Sequence, residues 1–79
     1  MITVKLFGLL RLDVGVKELS VEANTVKDLF PAVARAVQDR VSAENLERCI
    51  VMVNGKPAKK QSKLYDGDQV MFLSPVAGG

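Results

Sequence analysis

Apolar and polar residues alternate through Ile2-Thr3-Val4-Lys5-Leu6, and Phe7 closes the run. A period of two predicts a half-buried strand. Ile2, Val4 and Leu6 share one face; Thr3, Lys5 and Phe7 share the other, so Phe7 puts a large apolar group on the side that otherwise reads as wet. Residues 8–15 read as a hairpin connection with Gly15 at a left-handed position. Val16 to Val21 then return as a second strand with Leu19 and Val21 inward. After that the period changes. Val26, Leu29, Phe30, Val33 and Val37 form one helical stripe, which predicts a helix from about Val26 to Asp39 with Arg35 and Asp39 on its wet side. Asn24 and Thr25 suit its N-cap, and Thr25-Val26-Lys27-Asp28 reads as a weak capping box. Pro31 is discordant, because it removes a backbone hydrogen bond. The helix is expected to bend there, or to begin its regular part near Asp28.

The polar stretch Ser42 to Arg48 reads as a single short helical turn. Cys49 to Val53 is a continuous apolar run, with Cys49 read as a core residue, and it ends in the strong turn signal Asn54-Gly55. Lys56-Pro57-Ala58 follows as a short segment that Pro57 confines to a sheet edge. Lys59-Lys60-Gln61-Ser62-Lys63 is a basic loop, Asp66-Gly67-Asp68 another turn, and Gln69 to Leu73 a last strand. A hairpin, one crossing helix and further strands describe an α+β fold of the β-grasp type. Its mixed sheet has four to five strands, one main helix lies across one face, and the first and last strands are neighbours at the centre.

One helix covers only one face of a sheet, yet the third and last strands are apolar on both. If Val51, Val53, Val70 and Phe72 meet the helix with Val4 and Leu6, then Phe7, Ile50, Met52, Met71 and Leu73 face away. These five belong to adjacent strands and would form one exposed patch, which a monomer rarely leaves uncovered. A protein partner is the expected cover; a loop of the chain itself is the alternative.

Length and composition sharpen this. At 79 residues the chain is one small domain, of a size that is marginal without help from disulfides, metal or a partner. Cys49 is the only cysteine and there is no histidine, which argues against an internal disulfide and against zinc, and no metal is expected. A net charge of +2 with aromatics at 5% argues against a nucleic-acid interface. The absence of a leader pattern or a long apolar run argues against a membrane and for the cytoplasm.

The last six residues, Ser74-Pro75-Val76-Ala77-Gly78-Gly79, do not continue the strand pattern. Residues 1–73 are expected to form the domain and residues 74–79 a flexible tail, leaving the sheet at Pro75 and reaching about 20 Å if extended. A glycine pair has no side chains and fits a channel too narrow for other dipeptides. A terminal pair arises by chance in about one chain in 200, so it needs support from elsewhere in the chain.

That support comes from a resemblance over nearly the whole chain. Asp66-Gly67-Asp68-Gln69-Val70 followed by Phe72-Leu73-Ser74-Pro75-Val76-Ala77-Gly78-Gly79 is similar to the D-G-D-E-V strand and proline-valine-small-Gly-Gly ending of molybdopterin synthase small subunits. Those proteins are the sulfur carriers of the MoaD/ThiS-like, ubiquitin-like family. Val53-Asn54-Gly55 resembles the family's V-N-G turn, Phe7-Gly8-Leu9-Leu10-Arg11 its F-x-x-x-R, and Thr25-Val26 its helix start. Ser74 stands where the family commonly has a first proline, and Pro31 inside the helix is a second departure.

The resemblance implies a chemistry for Gly79. A terminal carboxylate has a pKa of about 3.3–3.7 and is ionised, hence a poor electrophile, at neutral pH. In the family an ATP-dependent, ubiquitin-activating-type adenylyltransferase converts the last glycine to a glycyl adenylate, and sulfur replaces AMP to give 1-thioglycine. The large catalytic subunit, in an expected heterotetramer, then uses that sulfur for the dithiolene of molybdopterin. The protein itself is then no enzyme and holds no cofactor stably. Gly79 would carry the sulfur, and Gly78, Ala77, Val76 and Pro75 would form the slim approach. Phe7, Ile50, Met52, Met71 and Leu73 would form the partner interface. Arg11 would join them near the activating enzyme, or be a solvated loop charge. Two alternatives share the glycine pair: a ubiquitin-like modifier joined through Gly79 to target lysines, and a sulfur carrier for another pathway such as thiamin thiazole synthesis.

Overall fold

The alternating N-terminal run forms β1 (Ile2–Phe7) and its partner β2 (Glu18–Val21), antiparallel with Val4 opposite Leu19. A computed structural model describes residues 1–7, 18–38 and 40–73 of the chain. The connection expected over residues 8–15, with Gly15 and Arg11, lies outside the described residues, as do Val16, Asp39 and the segment from Ser74 to Gly79.

The stripe Val26, Leu29, Phe30 and Val33 is the buried face of α1 (Val26–Ala36). The helix starts at Val26, not near Asp28, because its first turn is fully provided with acceptors. Thr25 is extended at the N-cap, its Oγ1 accepts from the Asp28 backbone N–H at 3.4 Å, and the hydroxyl donates to Asp28 Oδ2 at 3.0 Å. The basic loop supplies two more acceptors: Val26 N–H donates to the Ser62 carbonyl at 3.0 Å and Lys27 N–H to that of Lys60 at 2.9 Å. The helix runs through exposed Pro31 and stops at Ala36, three residues short of the expected Asp39. The cause is local: Val37 caps it and Gln38 turns left-handed at φ 57°. Val37 stays buried all the same.

The Ser42–Arg48 stretch is more than a polar turn. Ser42 caps α2 (Ala43–Glu47), its Oγ accepting from Asn45 N–H at 3.1 Å, and Leu46 is fully buried. Cys49 does not open the next strand; it sits half-buried just before β3 (Ile50–Val53). Asn54 at φ 52° and Gly55 at φ 83° make the two-residue type I′ turn into β4 (Lys56–Pro57), at the sheet's edge. The second turn has Gly67 at φ 90°, with Asp68 N–H donating to the Tyr65 carbonyl at 3.0 Å, and it leads into β5 (Gln69–Leu73).

The strands lie in the order β2-β1-β5-β3-β4, with β1 and β5 parallel and the other pairs antiparallel. The first and last strands are therefore central neighbours, in a mixed five-stranded β-grasp sheet with α1 across one face. Val4, Leu6, Val70 and Phe72 fill that covered face, and Phe72 meets Phe30 edge-on at 5.9 Å and 62°. Val51 is buried beside them and Val53 packs on their margin. Val41 and Leu64 also join the core.

Candidate functional site: the open face of the sheet

Among the described residues no helix lies over the other side of the sheet, and the strand register sorts its residues into rows. In the first row Leu73 of β5 is opposite Phe7 of β1 and Ile50 of β3. In the second, Pro57, Met52, Met71, Lys5 and Glu18 follow one another across all five strands. The third holds Gln69, Thr3 and Ser20. The face thus grades from wholly apolar, through apolar and charged, to polar. Phe7 and Ile50 are 37% and 57% exposed, far above the level of a core residue, while Leu73, Met71 and Met52 are half-buried.

The direction of the strands decides where the apolar row lies. β1 and β5 run parallel and both end in it, while antiparallel β3 begins in it. Ser74, the next residue after Leu73, is therefore bonded directly to the apolar row. Of the six residues expected at an interface, five fall on this one face; Arg11 lies outside the described residues. Sequence reasoning missed Lys5, Glu18 and Pro57 as neighbours of the methionines. The alternation already put Lys5 on the same side as Phe7, but only the cross-strand register sets it beside Met71.

The opposite end of the sheet is tied down by polar contacts. Asp68 accepts from Tyr65 N–H at 2.8 Å and from Asn54 Nδ2 at 3.0 Å, and Asn54 Oδ1 accepts from Gln69 N–H at 3.0 Å. The two turns are thus one hydrogen-bonded unit at the entry to β5. The Tyr65 N–H, with help from the Asn54 amide, holds the Asp68 carboxyl below its usual range. The Met1 ammonium contacts Asp66 and lies 3.5 Å from Glu22; the Asp66 hydrogen bond raises its pKa.

The remaining chemistry among the described residues is sparse. Burial pushes the Cys49 thiol up, and its S–H donates to the Asn45 carbonyl at 3.7 Å. A thiol raised in this way is a poor nucleophile. Lys60 pairs with Glu47 at 2.7 Å, which ties part of the basic loop to α2. Among the described residues no group of acidic, histidine or cysteine side chains is placed to hold a metal, and no helix is long and apolar enough to cross a membrane. What the described residues offer is a surface: an apolar row on an open sheet face, at the end of the last strand.

Several solved structures share this architecture. A chain of the Amycolatopsis orientalis BexX/CysO complex is 28% identical, with a TM-score of 0.74 and 100% of each chain covered. A chain of the complex of subunits 1 and 2 of molybdopterin-converting factor from Helicobacter pylori is 27% identical, with a TM-score of 0.62 over 99% of this chain and 97% of that one. SAMP1 from Haloferax volcanii has a TM-score of 0.80 over 99% and 98% of the two chains, and at 24% identity shows the fold alone. No curated protein matches the sequence. The family model called ThiS matches residues 4–79, nearly the whole chain, and on that span the chain belongs to the ThiS family, with the ubiquitin-like β-grasp fold.

Proposed function

We propose that this protein carries sulfur on its C-terminal Gly79 as the small subunit of a molybdopterin synthase. One observation carries the reading: the apolar row Phe7, Leu73 and Ile50 lies at the end of the sheet from which Ser74-Pro75-Val76-Ala77-Gly78-Gly79 continues. A partner docked on that row stands next to the start of the segment that ends in the glycine pair. The similarity to a chain from a complex of molybdopterin-converting factor subunits supports the same partner, a large catalytic subunit.

The chemistry follows from the state of Gly79. As a free carboxylate it is ionised and unreactive toward sulfur nucleophiles at neutral pH. An adenylyltransferase transfers AMP from ATP to the carboxylate, releasing pyrophosphate and making AMP the leaving group. The terminal sulfur of a persulfide attacks the carbonyl carbon and AMP departs; a thiol then cleaves the S–S bond and leaves a thiocarboxylate. The body supplies no acid, base or metal to these steps. Its part is to fix where the carbonyl is delivered, which turns an encounter in solution into a positioned reaction. The need for ATP places the protein, on this reading, in the cytoplasm.

Intact-mass measurement of the protein isolated from its own cells tests the proposal. The expected result is a fraction heavier by one sulfur-for-oxygen exchange, absent when Gly79 is deleted, together with loss of molybdopterin in the deletion strain. Gly79 found solely in isopeptide bonds to lysines would overturn it in favour of the modifier. A mass gain with molybdopterin unaffected by the deletion would assign the sulfur to another pathway.

A further inference from the structure

Lys5 occupies the position on the open face where covering the apolar row also buries a charge. It lies two residues before Phe7 on β1, roughly 6.6 Å along the strand, with Met71 opposite on one side and Glu18 on the other. It is already half-buried with nothing docked. Among the described residues it forms no ion pair, although Glu18 is directly across from it. A surface that seals Phe7, Leu73 and Ile50 and rests on Met71 comes over Lys5 as well. Taking an ammonium group out of water without a counter-charge costs more than the neighbouring apolar contacts return, so whatever docks must supply one.

We infer that the protein that docks on this face has an apolar centre and a carboxylate side chain one row away from it, set to meet Lys5. The inference rests on the carrier reading above, in which the occupant is the large catalytic subunit, and it adds what that subunit must present. Lys5 is then a specificity residue: an apolar surface without the carboxylate leaves the ammonium stranded and is rejected. The internal rival is Glu18, which could swing onto Lys5 and neutralise it from within. The two differ in which carboxylate is left alone when the lysine is removed.

Calorimetric titration of the full-length protein against the molybdopterin synthase large subunit of the same genome separates them. Lys5→Met keeps the length and apolar character of the stem and removes the charge. If the partner carries the carboxylate, this variant strands it, and the affinity falls about tenfold or more with a flatter salt dependence. Lys5→Glu, which sets like charges together, loses on the order of a hundredfold, and Lys5→Arg retains binding. Glu18→Gln does not weaken the complex, since it removes a carboxylate that repels the incoming one. Thermal melts of each variant confirm that the fold is kept. Unchanged or tighter binding by Lys5→Met overturns the inference, as does a loss in Glu18→Gln equal to that in Lys5→Met. Leu73→Asp tests the underlying reading separately. If it binds as the wild type does, this face is not the docking surface. If it blocks binding while Lys5→Met tightens it, the docking surface stands and the carboxylate inference falls.

Discussion

Phe72 and Leu73 are adjacent in sequence and point to opposite sides of β5, so truncating each in turn measures what each side of the sheet contributes. Phe72 has no exposed surface, touches Phe30 edge-on at 5.9 Å, and lies between Leu6 and Val51 in the register. Phe72→Ala removes a buried ring and leaves a cavity, a loss of about 3–5 kcal/mol, of which the aromatic pair accounts for about 0.5–1.5 kcal/mol. A chain of this length has a total stability of about 4–12 kcal/mol, so that one change removes a quarter or more of it. The melting temperature should fall by at least about 12 °C. Leu73 is half-buried on a face that no helix covers among the described residues, and Leu73→Ala should cost less than about 1 kcal/mol. Urea unfolding followed by far-ultraviolet circular dichroism reads both, with the slope checked for constancy so that midpoints report stability. A loss at Leu73 as large as that at Phe72 would refute the reasoning. It would mean that Leu73 is covered in the folded protein, and the open face would not be available for a partner.

Three further outcomes are expected. The carboxyl of Asp68 is held below its ordinary value by Tyr65 N–H and the Asn54 amide, so it stabilises the fold fully above the unfolded-chain value of about 3.9 and the contribution is lost as pH falls through the lower folded value. Acid titration of stability in Asp68→Ala should lack that component; an unchanged acid limb would show that the interlock adds nothing. Pro31→Ala restores the hydrogen bond to the Lys27 carbonyl in α1 and should stabilise by about 1–2 kcal/mol in the same urea assay, a gain that fails to appear if the helix has already relaxed around the ring. Cys49, with its thiol pushed up by burial, should react with iodoacetamide more slowly in the folded protein than in urea-unfolded chain at the same pH, and equal rates would contradict its half-buried position.

Much of the architecture was legible because the two periods are clean. The alternation of β1 and the stripe of α1 place Val4, Leu6, Leu29, Phe30 and Val33 in the core, and the double-sided runs of β3 and β5 imply an open apolar face. Leu46, Val41 and Leu64 were not legible, since each stands alone among polar neighbours and only the packing of α2 and the loops brings it inward. The end of α1 was missed for a related reason. Gln38 takes the left-handed conformation that glycine or asparagine usually marks, so nothing in the residue type announced it. On the candidate site, the alternation gave the side on which each residue lies but not its neighbour. The row that sets Lys5 between Met71 and Glu18 depends on a parallel pairing between strands more than sixty residues apart, which no local pattern encodes.

That parallel pairing also has a consequence for how the molecule is made. Of the described strands, the one made last is in the middle, hydrogen-bonded to β1 on one side and β3 on the other. Until Leu73 has been synthesised, β1 and β3 have no common neighbour and the sheet is two separate ribbons, each too small to be stable alone. Joining them requires closing a loop of most of the chain's length, a step that is slow and cannot be completed in part. Leu73 therefore reaches its place between Phe7 and Ile50 only when the entire body has folded. An enzyme that recognises this row of three side chains would select finished molecules over nascent or damaged ones, using the docking surface as an inspection point for folding.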